Sequence, residues 1–216
     1  MLKLPHLAFA VLATVCLAQD EPPDVKSIEK RANGGEAKAQ LTLGLMYDEG
    51  IGVAQDRAKA AVWLEKAAAQ GVPEAQFNIG TMYEFGVGVA KNGARAFQWF
   101  QKAAEQGLED AQFNLANMYA DGRGTEKSLA KAAEWYEKAA TKGMTRAQFN
   151  LGLMYVKGEG VPKDTLKGYA WFSVAAEAGD PAGIKNRDFI ESKLTTPEQK
   201  AKARQAAKAL AETIKK

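Results

Sequence analysis

The sequence predicts an all-α solenoid of antiparallel helix pairs, and three observations carry that prediction. Ala-Gln-Phe-Asn recurs at residues 75–78, 111–114 and 147–150 behind a divergent copy at 39–42, always 36 residues apart, and a fixed period of that size marks a stacked repeat array. Tyrosines at 47, 83, 119 and 155, tryptophans at 63, 99, 135 and 171, and glycines at 50, 86, 122 and 158 keep the same register. No segment alternates with period two over enough residues to suggest a strand.

Taken in order, residues 1–18 read as a signal peptide. Lys3 precedes an apolar run from Leu7 to Ala18, and the composition then turns abruptly to Gln19-Asp20-Glu21-Pro22-Pro23. That is the layout of a secretory signal, and the run falls short of the roughly 20 residues that span a bilayer. Cleavage is expected after Ala18. A lipid anchor on Cys16 is disfavoured by the bulky Val15 beside it. Processing removes the only cysteine and the only histidine, His6. The 29 Lys and Arg less Lys3 leave 28 against 26 acidic residues, too even to argue for nucleic acid or for an anionic membrane. No stable membrane insertion is expected after cleavage, and the expected location is periplasmic or secreted.

Residues 19–24 form a linker and 25–36 an N-terminal capping helix. Ile28, Glu29, Lys30 and Ala32 stand where Leu64, Glu65, Lys66 and Ala68 stand later, so this segment is half a unit, as expected of an array end. Four helix pairs occupy 37–182, with units at 37–72, 73–108, 109–144 and 145–180. Within a unit the first helix starts near Ala37, Pro73, Glu109 or Thr145, Pro73 suiting a first helical position. Ala75, Ile79, Met82 and Tyr83 have the spacing of one buried face. A Gly-x-Gly turn follows. Asp56, Asn92, Ser128 and Asp164 are N-cap side chains for the second helix, which stops at Gly71 or its equivalent. Paired alanines such as Ala67 and Ala68 allow close helix approach, and the tyrosine and tryptophan columns are expected in the core.

The segment 181–216 is expected to form two C-terminal capping helices. The first, 181–193, has Ile184, Phe189 and Ile190 as its apolar residues. Thr196 and Gln199 form a capping box for the second, whose stripe of Ala203, Ala207, Leu210 and Ile214 is expected to cover the open end of the array. Its cations, from Lys200 to Lys216, read either as an anion-binding surface or as a solvated helix end.

These columns, Ala-Gln-Phe-Asn, Met-Tyr, Gly-x-Gly-Val, an Asp or Asn cap, Trp-Phe and Lys-Ala-Ala, met most fully in the second copy, resemble the Sel-one-like repeat (SLR), a shorter relative of the tetratricopeptide repeat (TPR). The resemblance runs from about Val25 to the end. It implies a right-handed superhelical solenoid, TPR-like, whose concave face is lined by first helices and holds a protein or an extended peptide. It further implies a bacterial scaffold of the envelope or the exterior, possible roles being signalling, polysaccharide export or host contact. The alternative from another class is an envelope hydrolase acting on β-lactams or cell wall, an activity attributed to cysteine-rich members of the family.

The mature chain, without His or Cys, offers no imidazole base, no thiol nucleophile and no nitrogen or sulfur metal set, so neither an enzyme, a metal nor a cofactor is expected. The Gly-x-Gly turns lack the Lys-Ser/Thr of a phosphate loop. The varying face is the candidate site. Along the first helices it includes Glu74, Asn78, Thr81 and Phe85, then Asp110, Asn114, Asn117 and Asp121, and Asn150. The resemblance implies that Asn78, Asn114 and Asn150 hold the backbone of an extended peptide. An asparagine ladder between adjacent helices, or a solvated face, is the competing reading.

Overall fold

The computed structural model describes residues 24–214; the expected signal peptide at 1–18, residues 19–23 of the linker, Lys215 and Lys216 lie outside the described residues. Regular structure in that range is helical throughout: α1 (Val25–Asn33), α2 (Ala37–Glu49), α3 (Arg57–Ala69), α4 (Pro73–Phe85), α5 (Gly93–Glu105), α6 (Glu109–Asp121), α7 (Leu129–Thr141), α8 (Thr145–Lys157), α9 (Thr165–Glu177), α10 (Pro181–Lys193) and α11 (Pro197–Ile214). The described residues fall into two compact units, one of residues 24–111 with 123–125, the other of 112–122 with 126–214.

In the first unit consecutive helices from α1 to α5 pack on one another. The local chemistry is that expected of the sequence. Asp56 and Asn92 accept from the backbone N–H groups of Lys59 and Arg95, each at 3.0 Å, satisfying donors that a helix start leaves free. The N–H of each cap residue donates to the carbonyl of the tyrosine ending the previous helix, Asp56 to Tyr47 and Asn92 to Tyr83, both at 2.8 Å. The turn is thereby closed at both ends.

The two glycines of the turn serve different needs. Gly50 and Gly86 end their helices in the left-handed region, at φ 74° and 72°. Gly88 combines φ +68° with close approach, because a Cβ there would lie 2.1 Å from the Arg57 carbonyl oxygen. The turn of one repeat thus rests on the second-helix start of the repeat before it, and only glycine is thin enough.

Pairing within a repeat is equally tight. A Cβ on Gly44 would meet Leu64 at 2.8 Å, and one on Gly80 would meet the Phe100 ring at 3.1 Å. The large core residue of the second helix is therefore the one after each tryptophan, Leu64 or Phe100, both buried. This corrects the expectation that all four tryptophans are core. Trp63, Trp99 and Trp135 are half-buried, with the ammonium groups of Lys66, Lys102 and Lys138 at 4.0, 4.4 and 3.7 Å from their ring centres. In α3 the buried arc is Ala60, Ala61, Leu64, Ala67 and Ala68, which leaves position 63 on its margin. Trp171 alone of the four is buried.

Repeats are joined by the glutamine of the recurring tetrapeptide. Buried Gln40 and Gln76 donate from Nε2 to the carbonyls of Ala32 and Ala68 at 3.1 Å, and their Oε1 atoms accept from Gln70 and Gln106 at 2.7 and 2.8 Å. Because Ala32 belongs to α1, that helix stands in for the second helix of a missing repeat.

The second unit keeps the donor half of the scheme, while Gln148 Oε1 is buried without a hydrogen-bond partner. Gln148 donates to Ala140 at 3.0 Å, and a Cβ on Gly152 would lie 2.7 Å from Phe172. The capping box forms, Gln199 N–H donating to Thr196 Oγ1 at 3.2 Å and Thr196 N–H to Gln199 Oε1 at 3.1 Å. The expected role of α11 is not what is found. It packs along α9, with Ala203 buried among Tyr169, Phe172 and Ile190, and with Ala207 beside them. The end of the array stays open: Ile184 and Phe189 of α10 are solvent-exposed, Phe189 by 61%. Lys185 and Asp188 occupy the positions that are Phe149 and Gly152 one repeat earlier, so α10 has no apolar seat for a second helix of its own.

Gly88→Ala is expected to destabilise the fold by clearly more than the ~1–2 kcal/mol of a left-handed alanine, whereas Gly71→Ala, with φ +91° and nothing within 4 Å, should cost only about that. Gln76→Leu should cost about 0.5–1.5 kcal/mol for each of the two hydrogen bonds it removes, that to the Ala68 carbonyl and that from Gln106. Chemical unfolding of the three variants gives the ranking.

Candidate functional site

The candidate residues sit on first helices, which the glutamine bonds and glycine contacts hold rigidly. On α4, Glu74 and Asn78 are half-buried and Phe85 is 48% exposed. Asn78 Nδ2 donates to the Glu74 carbonyl at 2.8 Å, a bond within its own helix and not a rung to a neighbouring one. Thr42 and Asn186, in the same column, also bond four residues back, to Lys38 and Ala182 at 3.0 and 2.8 Å. One amide N–H and the carbonyl oxygen of Asn78 keep bonding capacity.

Thr81 does not belong to the accessible set. It is 4% exposed and its hydroxyl donates to the Phe77 carbonyl at 3.0 Å. Its column turns inward, as shown by the fully buried Leu45 one repeat earlier. Asn117, in that same column, is half-buried and accepts from the Tyr136 hydroxyl, so it braces α6 against α7. Asn114 and Asn150 are half-buried, Asp110 is half-buried and Asp121 exposed. The accessible set is therefore Glu74, Asn78 and Phe85 on α4, with Asp110, Asn114, Asp121 and Asn150 elsewhere.

The carboxylates in the neighbouring column hold structural partners. Glu84 accepts from Arg123. Asp48 is buried, its Oδ1 has no hydrogen-bond partner, and Arg57 Nε stands 3.6 Å away; burial pushes its pKa upward, helped by Glu49. In the second unit Glu191 accepts from Arg204 Nη2 at 2.5 Å and Nε at 3.2 Å, and from the Tyr169 hydroxyl at 3.3 Å. The Arg204 hydrogen bonds hold the Glu191 pKa below the usual glutamate range. Clefts of about 460 and 180 Å³ flank α11.

The tryptophans do not form a stacking platform, since a lysine already lies over each of Trp63, Trp99 and Trp135. Among the described residues no group of three or more His, Cys, Asp or Glu is placed to hold a metal ion. No helix among them is long and apolar enough to cross a membrane.

The Sel1 repeat model matches residues 37–72, 73–108, 109–144 and 145–180. The chain belongs to the Sel1 repeat family, whose fold typically mediates protein–protein interaction. A protective antigen of uropathogenic Escherichia coli strains that displays an SLR fold is 36% identical over 96% of this chain, at a TM-score of 0.78. This chain spans only 44% of that protein's length. A Sel1 repeat protein from Oxalobacter formigenes is 30% identical, also with a TM-score of 0.78, over 95% of this chain and 85% of its own. Comparison with curated proteins gives no match.

The Glu191 geometry sets a pH dependence. A carboxylate whose folded pKa is lowered contributes stability that is present above its unfolded pKa and lost as pH falls through the folded value. The attachment of α11 should therefore loosen on acidification below the ordinary glutamate range. Hydrogen exchange in α11 should rise there, and Glu191→Gln should abolish that rise.

Proposed function

We propose that this protein is an exported, non-catalytic scaffold that binds an extended segment of another protein along its first-helix faces. The observation that carries the reading is a variable, accessible column on an otherwise fixed frame. Lys38, Glu74, Asp110 and Arg146 occupy one register position, and Glu49, Phe85, Asp121 and Lys157 another. Six of these eight are exposed, and Glu74 and Asp110 are half-buried. Sign changes from copy to copy suit a peptide that carries charge of both signs, and a rigid scaffold with variable surface positions is where binding residues concentrate. Asn78, Asn114 and Asn150 then supply backbone hydrogen bonds to the segment, Asn78 with the amide capacity left over from its bond to Glu74.

The export signal read in residues 1–18 supports a site of action in the periplasm or outside the cell, and the proposed setting is an envelope signalling, polysaccharide or host-contact process. The description of one relative as a protective antigen accords with that location.

Crosslinking capture from envelope extract tests the reading, with the chain beside its N78A/N114A/N150A variant. Loss of a captured protein by a still-helical variant supports it, and equal capture by both overturns the site. Once a partner segment is known, D110K/D121K should weaken a cationic segment by about tenfold or more, close to 1.4 kcal/mol; unchanged affinity in a titration would rule out the acidic column as a contact.

A further inference from the structure

Helices α2 and α4 end on the same frame but with a different balance of charge. After the tyrosine of α4 comes Glu84, which accepts from Arg123 in the Gly-Arg-Gly turn of the next repeat. One carboxylate meets one guanidinium there, and the residue that follows, Phe85, is neutral. One period earlier the tyrosine is followed by Asp48 and Glu49, and the register position of Arg123 is taken by Val87. The acids are doubled and the turn supplies no cation.

Arg57 makes up only part of the difference. Its Nε stands 3.6 Å from Asp48, beyond hydrogen-bond reach, and Asp48 Oδ1 is buried without a hydrogen-bond partner. The Asp48 side chain keeps 10% of its surface open to solvent. Glu49 is exposed and has no ion pair among the described residues. Two carboxylates therefore share one guanidinium at the negative end of α2, where a further cation is favoured.

An aromatic ring stands at the same corner. Gly88, just past Phe85, rests on the Arg57 carbonyl, so the turn after α4 lies against the residue that faces Asp48. Phe85 is 48% exposed. Cations of this chain lie over Tyr47, Trp63, Tyr83 and Trp99 in the same unit, whereas no described cation lies over Phe85.

We propose that Asp48 and Glu49 at the end of α2, with the Phe85 ring, form a binding site for an arginine side chain of the partner protein. The proposal rests on the reading that a partner segment lies along the first helices, and it names the residue taken at this corner. A planar guanidinium bonds a carboxylate through one edge while its face lies on a ring. Arg123 on Glu84 is the chain's own use of that group at the same register. Lysine, a compact and strongly hydrated charge, lacks the flat face and the paired donors.

The test uses the full chain and the blocked peptide Ac-Gly-Ser-Gly-Arg-Gly-Ser-Gly-NH2, titrated by NMR on the Phe85 ring and the Gly86 amide, beside analogues with Gln or Lys in place of Arg. The arginine peptide is expected to shift both signals saturably, and the glutamine peptide to leave them unmoved. Glu49→Gln, at an exposed position, and Phe85→Leu, which keeps the apolar bulk, should each weaken the arginine peptide about fivefold. Asp48→Asn, which keeps the shape of the side chain, should act likewise. Val87→Arg puts a guanidinium at the register of Arg123, so it should fill the site from within, abolish peptide binding and raise the unfolding midpoint. Unchanged affinity in Glu49→Gln or Val87→Arg overturns the site. Equal binding of the glutamine or lysine peptide does so too, as does the lack of a saturable shift up to about 20 mM. The N78A/N114A/N150A variant should take the arginine peptide as the parent chain does. If it also captures a partner from extract equally well, the asparagine reading falls and the arginine site stands.

Discussion

A buried glutamine amide reaching back to the carbonyl of the preceding second helix is the bond on which this array depends. An amide buried between helices is stable only if its donor and acceptor are both met, and Gln40 and Gln76 meet that condition with a main-chain carbonyl on one side and a second glutamine on the other. The bond fixes how far one repeat is displaced from the last. The stacking of Gly88 on Arg57, Gly124 on Gly93 and Gly160 on Leu129 then fixes its tilt at the far end of the turn. With both ends set, α2 and α4 have no freedom left to drift within the first unit, and side chains displayed there keep their spacing whatever their identity.

The fold was legible because its determinants are local and repeated. N-caps, glycine turns and the apolar spacing of the first helix recur at one period, and each recurrence confirms the others. What could not be read was which arc of the second helix faces inward when a tryptophan and a phenylalanine stand side by side. Trp99 and Phe100 are both large and apolar, and the choice is made by Gly80, whose missing side chain leaves room for one ring in particular. The lysine three positions after Trp63, Trp99 and Trp135 was a usable signal, since it lies over the ring on the rim of the buried arc. The glutamine was visible in all four copies and passed as a marker, although an amide kept in a buried column is itself a sign of a bond.

The candidate site was legible in part. Phe85, Asp121 and the asparagine column fall on accessible or partly accessible faces, whereas Thr81 and Asn117 sit on the edge shared with the next helix, a distinction of one helical step that hydrophobic spacing does not resolve. The placement of α11 was also beyond the sequence. Its apolar stripe says that it must be covered, and the replacement of a lysine by Val174 hints at where, but only the packing shows that α11 folds back on α9 and leaves the end of α10 bare.

The polar residues on α10 have a consequence for how such a chain changes size. Lys185 and Asp188 stand where Phe149 and Gly152 stand one period earlier, so α10 lacks the seat on which a first helix holds its second. Within the first unit the junctions are alike, because Gln40 and Gln76 each meet the carbonyl of a preceding second helix and a further glutamine. Insertion or removal of a whole period of 36 residues keeps such a joint in register, while loss of a single residue in a turn breaks it. The array is counted in units, and its ruler is the period itself.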